Sequence, residues 1–173
     1  DVILVSVGEP ATALQNRYYT LEFFRQARRA LSADGVLVVG LPGEAEYIGE
    51  EMRAVNGAVY RSLRAVFSQV LLTPMESTLL LAAGPRARLT LDCHTLGERL
   101  RRRGVRTDYV DEYYLEALLP PDRVRFVTSA YQSASGPLNQ DFRPIAYFHD
   151  MALWNLAEGS LPQQVFRLMR AAP

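Results

Sequence analysis

Lysine is absent from this chain, and cysteine and histidine are scarce. All nineteen basic residues are arginine, and the only thiol and imidazole side chains are Cys93, His94 and His149. A chain without lysine has no Schiff base, lysine general base or P-loop lysine. One cysteine allows no internal disulfide, and these three ligands are too few for a structural zinc site. We therefore expect no metal, and adjacent Cys93 and His94 are interpreted as structural.

Excess charge and long apolar runs are also missing. Nineteen acidic residues balance the arginines, so the chain lacks the basic surface typical of nucleic-acid binders. No apolar run reaches the roughly eighteen residues of a membrane span, and the N-terminus resembles no signal peptide. Hydrophobic residues make up 49% of the chain, enough for one core. We expect a soluble, cytoplasmic chain that does not bind nucleic acid.

The first part of the chain alternates strand and helix patterns. Val2–Val7 is a short apolar run, typical of a parallel strand covered on both faces, and Val36–Leu41 is a second. Between them, Thr20 is a candidate N-cap for a helix that extends to Leu31. The chain begins at Asp1, directly on the first strand, and we expect the protein to extend upstream. The alternation predicts a parallel sheet.

Later segments predict a closing hairpin and a helical tail. A 3.6-residue period from Ile48 to Val66 indicates one long helix, and two short strands follow, separated by Pro74. Thr95 and Glu98 form a potential capping box, with Gly104 as a C-terminal stop. The hairpin strands are Gln69–Thr73 and Ser77–Ala83, and further helices are expected at Glu112–Leu119, Pro121–Ser133 and Pro162–Met169.

These patterns give an α/β fold class. We predict the C-terminal part of a Rossmann-like sheet, mostly parallel with an antiparallel closing hairpin and followed by a helical tail. Residues 1–85 would form the sheet and its helices, and 86–173 a helical extension that packs on them as one unit. Neither glycine-rich phosphate-binding fingerprint occurs, so the nucleotide-binding half of such a site is missing from the sequence.

The loop after the first strand is the best candidate for chemistry, because ligands of open parallel sheets bind at the carboxyl ends of strands. Glu9 in this loop could orient a cationic substrate. The alternative is that Glu9 is a solvated turn residue and Pro10 ends the strand. The densest basic cluster is more simply a solvated helix end than a contact with acidic lipid or an acidic partner. It comprises Arg99, Arg101, Arg102, Arg103 and Arg106.

A polar and aromatic stretch from Pro137 to Tyr147 predicts an ordered, hydrogen-bonded loop. An ion pair between Asp141 and Arg143 would fix the tail to the sheet, and the alternative is that Asp141 or Tyr147 faces substrate. Beyond this stretch, Trp154 with Phe148 and Met151 predicts a helix face that packs on the core.

Three segments of the chain resemble spermidine synthase-like proteins, and most of all bacterial members in which that domain is fused to membrane-spanning segments. They are Val2–Pro10, Thr12–Thr20 with its Asn-Arg-x-Tyr-Thr string, and Pro137–Tyr147 with its Asn-x-Asp-x-Arg-Pro string. The resemblance implies a methyltransferase-type Rossmann fold. The complete family fold binds decarboxylated S-adenosylmethionine or methylthioadenosine and transfers an aminopropyl group to a diamine.

The resemblance also implies site residues. In the family, an aspartate-x-x-aspartate-proline loop supplies one carboxylate that assists amine deprotonation and one that holds the diamine. Here these catalytic positions are Ser6 and Glu9, and a serine hydroxyl is a poor proton acceptor without its own base. The implied substrate-binding residues are Glu9, Pro10, Thr12, Asn16, Tyr18, Asp141 and Tyr147.

Three functional hypotheses follow. The chain is the C-terminal portion of a spermidine synthase-like domain, inactive alone, or a non-catalytic module that senses a polyamine or nucleoside for a membrane protein. The third is part of another S-adenosylmethionine-dependent methyltransferase. The chain itself would hold no cofactor; decarboxylated S-adenosylmethionine or S-adenosylmethionine would require the upstream half.

Expected partners follow from the same hypotheses. They are the upstream half of the domain, a polyamine and a second copy of the chain, with membrane contact only through flanking segments. Because an unpaired apolar edge strand tends to pair, Val2–Val7 should form a homodimer contact or be covered by the tail. The chain would be a soluble cytoplasmic domain of an integral membrane protein.

Overall fold

The computed structural model describes residues 1–44 and 47–158, and the side chains of these up to residue 151. It contains a four-stranded sheet and seven α-helices. The strands are β1 (Val2–Val5), β2 (Val36–Pro42), β3 (Gln69–Leu72) and β4 (Ser77–Ala83). The helices are α1 (Ala13–Asn16), α2 (Leu21–Ala30), α3 (Glu50–Arg64), α4 (Cys93–Arg102), α5 (Glu112–Leu118), α6 (Pro121–Gln132) and α7 (Ile145–Glu158), and a short 3-10 turn (Arg17–Tyr19) follows α1.

The sheet has the strand order β1-β2-β4-β3. β1 pairs parallel to β2 with Val2 opposite Val36, and helix α2 connects the two strands. β4 is antiparallel to both β2 and β3, so β1, β2 and β3 run in one direction and β4 runs against them. The prediction of an α/β fold with an antiparallel closing hairpin at the sheet edge is therefore confirmed.

Helices cover one face of this sheet. Side chains of α2, α3, α6 and α7 join those of the strands in one apolar core. Among the strand residues in that core, Leu37 and Val39 of β2 and Leu72 and Leu80 of the hairpin are almost fully buried. The alternation of buried and half-buried residues along β2 shows that its two faces differ in cover. The core thus lies on one side of the sheet, as hydrophobic burial requires.

The opposite face of the sheet is apolar as well. Val2 and Leu4 of the edge strand β1 are each 66% exposed. The prediction that β1 is buried on both faces is therefore wrong for the described chain. Strand pairing places further half-buried aliphatic residues on the same face. These are Val36, Val38, Leu71, Leu79 and Leu81.

The helix boundaries follow local capping interactions. Thr20 accepts a hydrogen bond from the Phe23 amide and caps α2, as predicted. The predicted capping box on α4 is wrong, because Asp92 is the N-cap and its carboxylate accepts the Thr95 amide at 2.8 Å. Beyond the end of α4, Gly104 adopts a φ of 61°, which favours glycine and stops the helix.

The later helices contact the sheet layer to different extents. α6 and α7 pack along α3, whereas α4 and α5 mainly contact each other. Arg101, Arg102, Arg103 and Arg106 are exposed, and Arg101 pairs with Glu112 at 2.9 Å, consistent with a solvated helix end. Among the residues described, no helix is long and apolar enough to cross a bilayer. The helix predicted at Pro162–Met169 lies outside the described range.

Candidate functional site

A cavity of about 290 Å³ lies where β1 and β2 end, the position expected for a ligand site in an open parallel pair. The loop after β1 supplies Ser6, Gly8 and Glu9 to its lining. The remaining lining comes from the end of β2 and the β3–β4 turn, namely Gly40, Leu41, Pro42, Glu76 and Ser77. The volume suits a small molecule.

Tyr19 shapes the β1 side of the cavity. Its side chain is fully buried, and its phenol donates to the carbonyl of Gly8 and lies 3.3 Å from the carbonyl of Gly40. Gly8 has a φ of 84°, a conformation that side-chain-bearing residues rarely adopt. Tyr19 therefore ties the β1 loop to the end of β2.

The hairpin side of the cavity depends on a close backbone approach. The amide of Gly43, just after β2, donates to the Glu76 carbonyl at 2.6 Å. A Cβ at Gly43 would lie 2.3 Å from the Met75 carbonyl oxygen, so only glycine fits here. This contact brings the β3–β4 turn, with Glu76, to the end of β2 and beside the β1 loop.

The ionisable residues of the cavity are all acidic. Glu9 and Glu76 line it, and no arginine of the described ranges is among the lining residues. Burial and the charge of Glu9 raise the pKa of Tyr19 to about 12, so its phenol remains a hydrogen-bond donor at neutral pH. The site therefore favours a cation over an anion.

A further carboxylate, Asp150 on α7, is affected by the charge of Glu9. It is 2% exposed, and burial followed by the charge of Glu9 raises its pKa to about 6. Asp150 Oδ2 has no hydrogen-bond partner among the residues described. Glu9 lines the cavity, whereas Asp150 is buried in the helical layer and is not among the lining residues.

Ser6 is exposed and lies in the cavity lining, as its predicted position requires. No imidazole is found among the lining residues of the described chain. A serine hydroxyl without a base cannot take a proton from an ammonium group at neutral pH. Ser6 can thus contact a ligand but cannot serve as a general base for an amine.

Three of the predicted substrate-binding residues have structural roles. Asn16 is 1% exposed, and its side-chain oxygen accepts a hydrogen bond from Asn139 at 3.0 Å. Thr12 caps α1 by accepting the Gln15 amide at 3.1 Å, and Pro10 is buried at the end of the β1 loop. These side chains position the loop and do not line the cavity at the strand ends.

Tyr18 and Asp141 lie together in a different place. They line a second cleft, of about 310 Å³, with Arg17, Phe23 and two further residues of the helical segment. Tyr18 packs edge-on against Phe23, with ring centroids 5.5 Å apart. Of the predicted binding residues, Glu9 therefore lies in the first cavity, and Tyr18 and Asp141 lie in the second.

The expected ion pair between Asp141 and Arg143 is wrong. Asp141 Oδ1 accepts a hydrogen bond from Thr20 Oγ1 at 2.8 Å, and its backbone amide donates to Glu22 at 3.1 Å. Arg143 instead exchanges backbone hydrogen bonds with Gln140. The loop is ordered and hydrogen-bonded, as predicted, but its partners are Thr20, the N-cap of α2, and Glu22 in the first turn of that helix.

Tyr147 lines neither cavity. Its ring lies on α7 beside that of Phe148, at 6.0 Å between centroids. Phe148 is 44% exposed, so the prediction that it packs on the core is wrong, whereas Met151 is half-buried. The side chain of Trp154 lies outside the described part of the chain.

No family model and no curated protein matches the chain. Function is therefore inferred from the cavity and its chemistry.

Two residues of the site were missed at the level of sequence. Glu76 reaches the cavity only through the pairing of β4 with β2, a tertiary placement that no local signal could identify. Tyr19 belongs to the Asn-Arg-x-Tyr-Thr string, and that string is the signal that could have pointed to it.

Proposed function

We propose that this chain binds a small organic cation of the polyamine class in the cavity at the ends of β1 and β2. The protein would be the C-terminal portion of a spermidine synthase-like domain with a Rossmann-like, methyltransferase-type sheet. The parallel pair β1 and β2, joined by α2, supports that fold, as does the hairpin that closes the sheet.

One observation carries this proposal, namely that the cavity lining, as far as the structure describes the chain, holds carboxylates and no basic side chain. Ammonium groups on a short alkyl chain complement such a lining, because the carboxylates accept their hydrogen bonds and Leu41 and Pro42 contact the methylenes.

Aminopropyl transfer requires a further step, the loss of a proton from the attacking amine. The amine nitrogen must expose a lone pair before it can attack the methylene carbon of the donor. Ser6 stands at the family position of the base and has no imidazole beside it in the cavity lining. We therefore propose that the chain alone binds the amine without turning it over.

A second candidate function is a polyamine-sensing module of a cytoplasmic region in a membrane protein. The substitution at Ser6 favours it, because binding needs the carboxylates and does not need the base. The enzyme hypothesis needs the upstream half as a partner, which would supply decarboxylated S-adenosylmethionine. The Ser6→Asp variant of the full protein, assayed for putrescine aminopropylation, separates the two, since a gain of activity supports the enzyme.

The binding site itself is tested by nuclear magnetic resonance on the chain. Putrescine should shift the backbone resonances of Ser6, Gly8, Gly40 and Glu76, and Glu9→Gln should abolish the shifts. Glu116→Gln, an exposed site on α5, is the control and should behave as wild type. Methylthioadenosine should leave the spectrum unchanged. Putrescine shifts confined to the cleft of Tyr18 and Asp141 would contradict the proposal.

A further inference from the structure

The second cleft, separate from the cavity at the strand ends, brings opposite charges and aromatic rings together. Its volume is about 310 Å³, and it is lined by Leu14, Arg17, Tyr18, Phe23, Gln26 and Asp141. None of these residues lines the strand-end cavity. The charged residues of the cleft are one arginine and one aspartate, whereas those of the strand-end cavity, within the described ranges, are acidic. The two sites therefore suit ligands of different charge.

Buried neighbours hold Arg17 and Tyr18 in the cleft lining. Asn16 and Tyr19, which flank them, are 1% and 0% exposed, and both side chains are hydrogen-bonded to other segments. The two residues between them are exposed in the short 3-10 turn. The Tyr18 ring lies edge-on against Phe23, with 5.5 Å between ring centroids. The turn therefore presents a guanidinium beside a fixed aromatic wall.

Asp141 is also held in a fixed position. It lies in a tight turn that Gln140 and Arg143 close with two backbone hydrogen bonds of 3.1 Å. Its Oδ1 accepts a hydrogen bond from Thr20 Oγ1 at 2.8 Å, and its amide donates to Glu22 at 3.1 Å. Its Oδ2 makes no hydrogen bond to a described residue and is not one of the buried unpaired atoms. One carboxylate oxygen thus remains available to a ligand.

The two charges of the cleft do not neutralise each other. No ion pair joins Arg17 to Asp141, and the Arg17 guanidinium has no side-chain partner in the part of the chain that the structure describes. Each group can therefore pair with an opposite charge on a ligand, and a guanidinium forms its best hydrogen bonds with a carboxylate. A ligand that carries both charges satisfies both residues.

We infer that this cleft binds a free α-amino acid in its zwitterionic form. The carboxylate of the amino acid pairs with Arg17, its ammonium group donates to Asp141 Oδ2, and an apolar or aromatic side chain packs on the wall of Tyr18 and Phe23. A polyamine has no group for Arg17 and is repelled by it, so it does not compete for the cleft. This inference goes beyond the proposed function and does not depend on it.

Nuclear magnetic resonance titration of the chain with L-phenylalanine at pH 7.5 tests the assignment. The backbone resonances of the cleft residues should shift and saturate, whereas those of the strand-end cavity should not move. Phenethylamine lacks the carboxylate of phenylalanine, and 3-phenylpropionate lacks the ammonium group. Each should bind about tenfold more weakly than phenylalanine, the effect of one lost charged contact.

Two variants assign each charge of the ligand to its residue. Arg17→Gln should weaken phenylalanine binding about tenfold and should not weaken phenethylamine binding, because phenethylamine has no carboxylate to lose. Asp141→Asn keeps an oxygen for Thr20; it should weaken phenylalanine binding similarly and should not weaken 3-phenylpropionate binding. Arg29→Gln, at an exposed arginine of α2 outside the cleft lining, is the control and should behave as wild type.

The inference is wrong if phenylalanine leaves the resonances of the cleft residues unmoved, or if all three compounds bind equally well. It is also wrong if Arg17→Gln binds phenylalanine as tightly as wild type. A chain that binds phenylalanine in the cleft and no putrescine at the strand ends would contradict only the proposed function.

Discussion

Asn139 uses its backbone and its side chain to join three parts of the chain. Its side-chain amide donates to Asn16 Oδ1 and to the Tyr19 carbonyl, at 3.0 and 2.9 Å, and its oxygen accepts the Ala146 amide at 3.1 Å. The residue is fully buried. It therefore holds the α1 segment, and with it Tyr19, against the start of α7.

Substitution Asn139→Ala should destabilise the chain by at least about 3 kcal/mol, because it leaves three buried polar groups unpaired at about 1 kcal/mol or more each. Urea unfolding monitored by circular dichroism measures this change. Gln140→Ala is the matched control at the next position, since the pairing of Gln140 with Arg143 uses backbone atoms. An Asn139→Ala effect as small as that of the control would contradict the role of the network.

Asp150 should make stability fall as pH rises. Its pKa is about 6 when folded, against an ordinary value of 3.8, so the folded chain binds a proton that the unfolded chain releases. The stabilisation from this proton is complete below about pH 4 and is lost through pH 6. Replacement by asparagine removes this slope and should stabilise the chain at pH 7.5 by on the order of 2 kcal/mol.

Urea unfolding of wild type and Asp150→Asn between pH 4 and 7.5 measures this difference. Asp122→Asn, an exposed carboxylate on α6, is the control and should follow the wild-type curve. Parallel curves for wild type and Asp150→Asn would show that Asp150 has an ordinary pKa.

At the scale of single residues, the sequence points to the loop after β1 but not to the residues that surround it in the structure. Glu9 was predicted from its place after an apolar strand, a rule that depends only on local order. Asn16 belongs to a string that suggested substrate binding, yet its side chain is committed to Asn139. A polar residue in a family-like string can stabilise the core or contact a ligand, and its burial in the structure distinguishes the two roles.

Among the elements, α3 is the central support of the helical layer. It packs along both α6 and α7, and six of its buried residues are consecutive, from Val55 to Tyr60. Gly57 lies in this stretch. A Cβ at Gly57 would approach the Cβ of Ala134 to 2.4 Å, so the glycine permits the close approach of the segment that follows α6.

Substitution Gly57→Ala should therefore destabilise the chain by about 1–3 kcal/mol, although alanine is the better helix former. The double variant Gly57→Ala with Ala134→Gly should recover most of the loss, since it returns the space to the contact. Thermal unfolding of the two variants and wild type measures this. A Gly57→Ala chain as stable as wild type would show that the contact relaxes freely.

The types and order of most elements could be predicted from periodicity. Some element boundaries, and the short helix α1, could not. β1 ends two residues before the apolar run does, because Ser6 and Val7 already belong to the cavity loop. The start of α4 was misplaced because Asp92 competes with Thr95 as a cap, and either residue type suits that position. Helix α1, four residues long, is too short for a periodic signal.

At the scale of the whole molecule, the main feature of the described residues is a sheet that is apolar on both faces and covered by helices on one. Val2 and Leu4 extend that second face to the open edge at β1. The sequence shows that the strands are apolar, but not which face of the sheet the helices pack on, because that depends on tertiary packing. An open apolar edge of this kind favours strand pairing between chains.

We expect the chain to self-associate through β1. Analytical ultracentrifugation over a concentration series should show a dimer for wild type and a monomer for Leu4→Lys, because a lysine would place a charge at the paired edge. Leu14→Lys, at another exposed leucine away from the sheet, is the control and should dimerise as wild type. A wild-type chain that stays monomeric at every concentration would contradict this expectation.

The central claim is that the carboxylate-lined cavity at the strand ends binds an organic cation. Calorimetric titration with putrescine and with 1,4-butanediol, its uncharged counterpart of similar length, tests this claim most directly. We predict saturable binding of putrescine that weakens as salt rises, and no binding of the diol. Equal binding of the two compounds, or putrescine binding that Glu9→Gln leaves unchanged, would contradict the account.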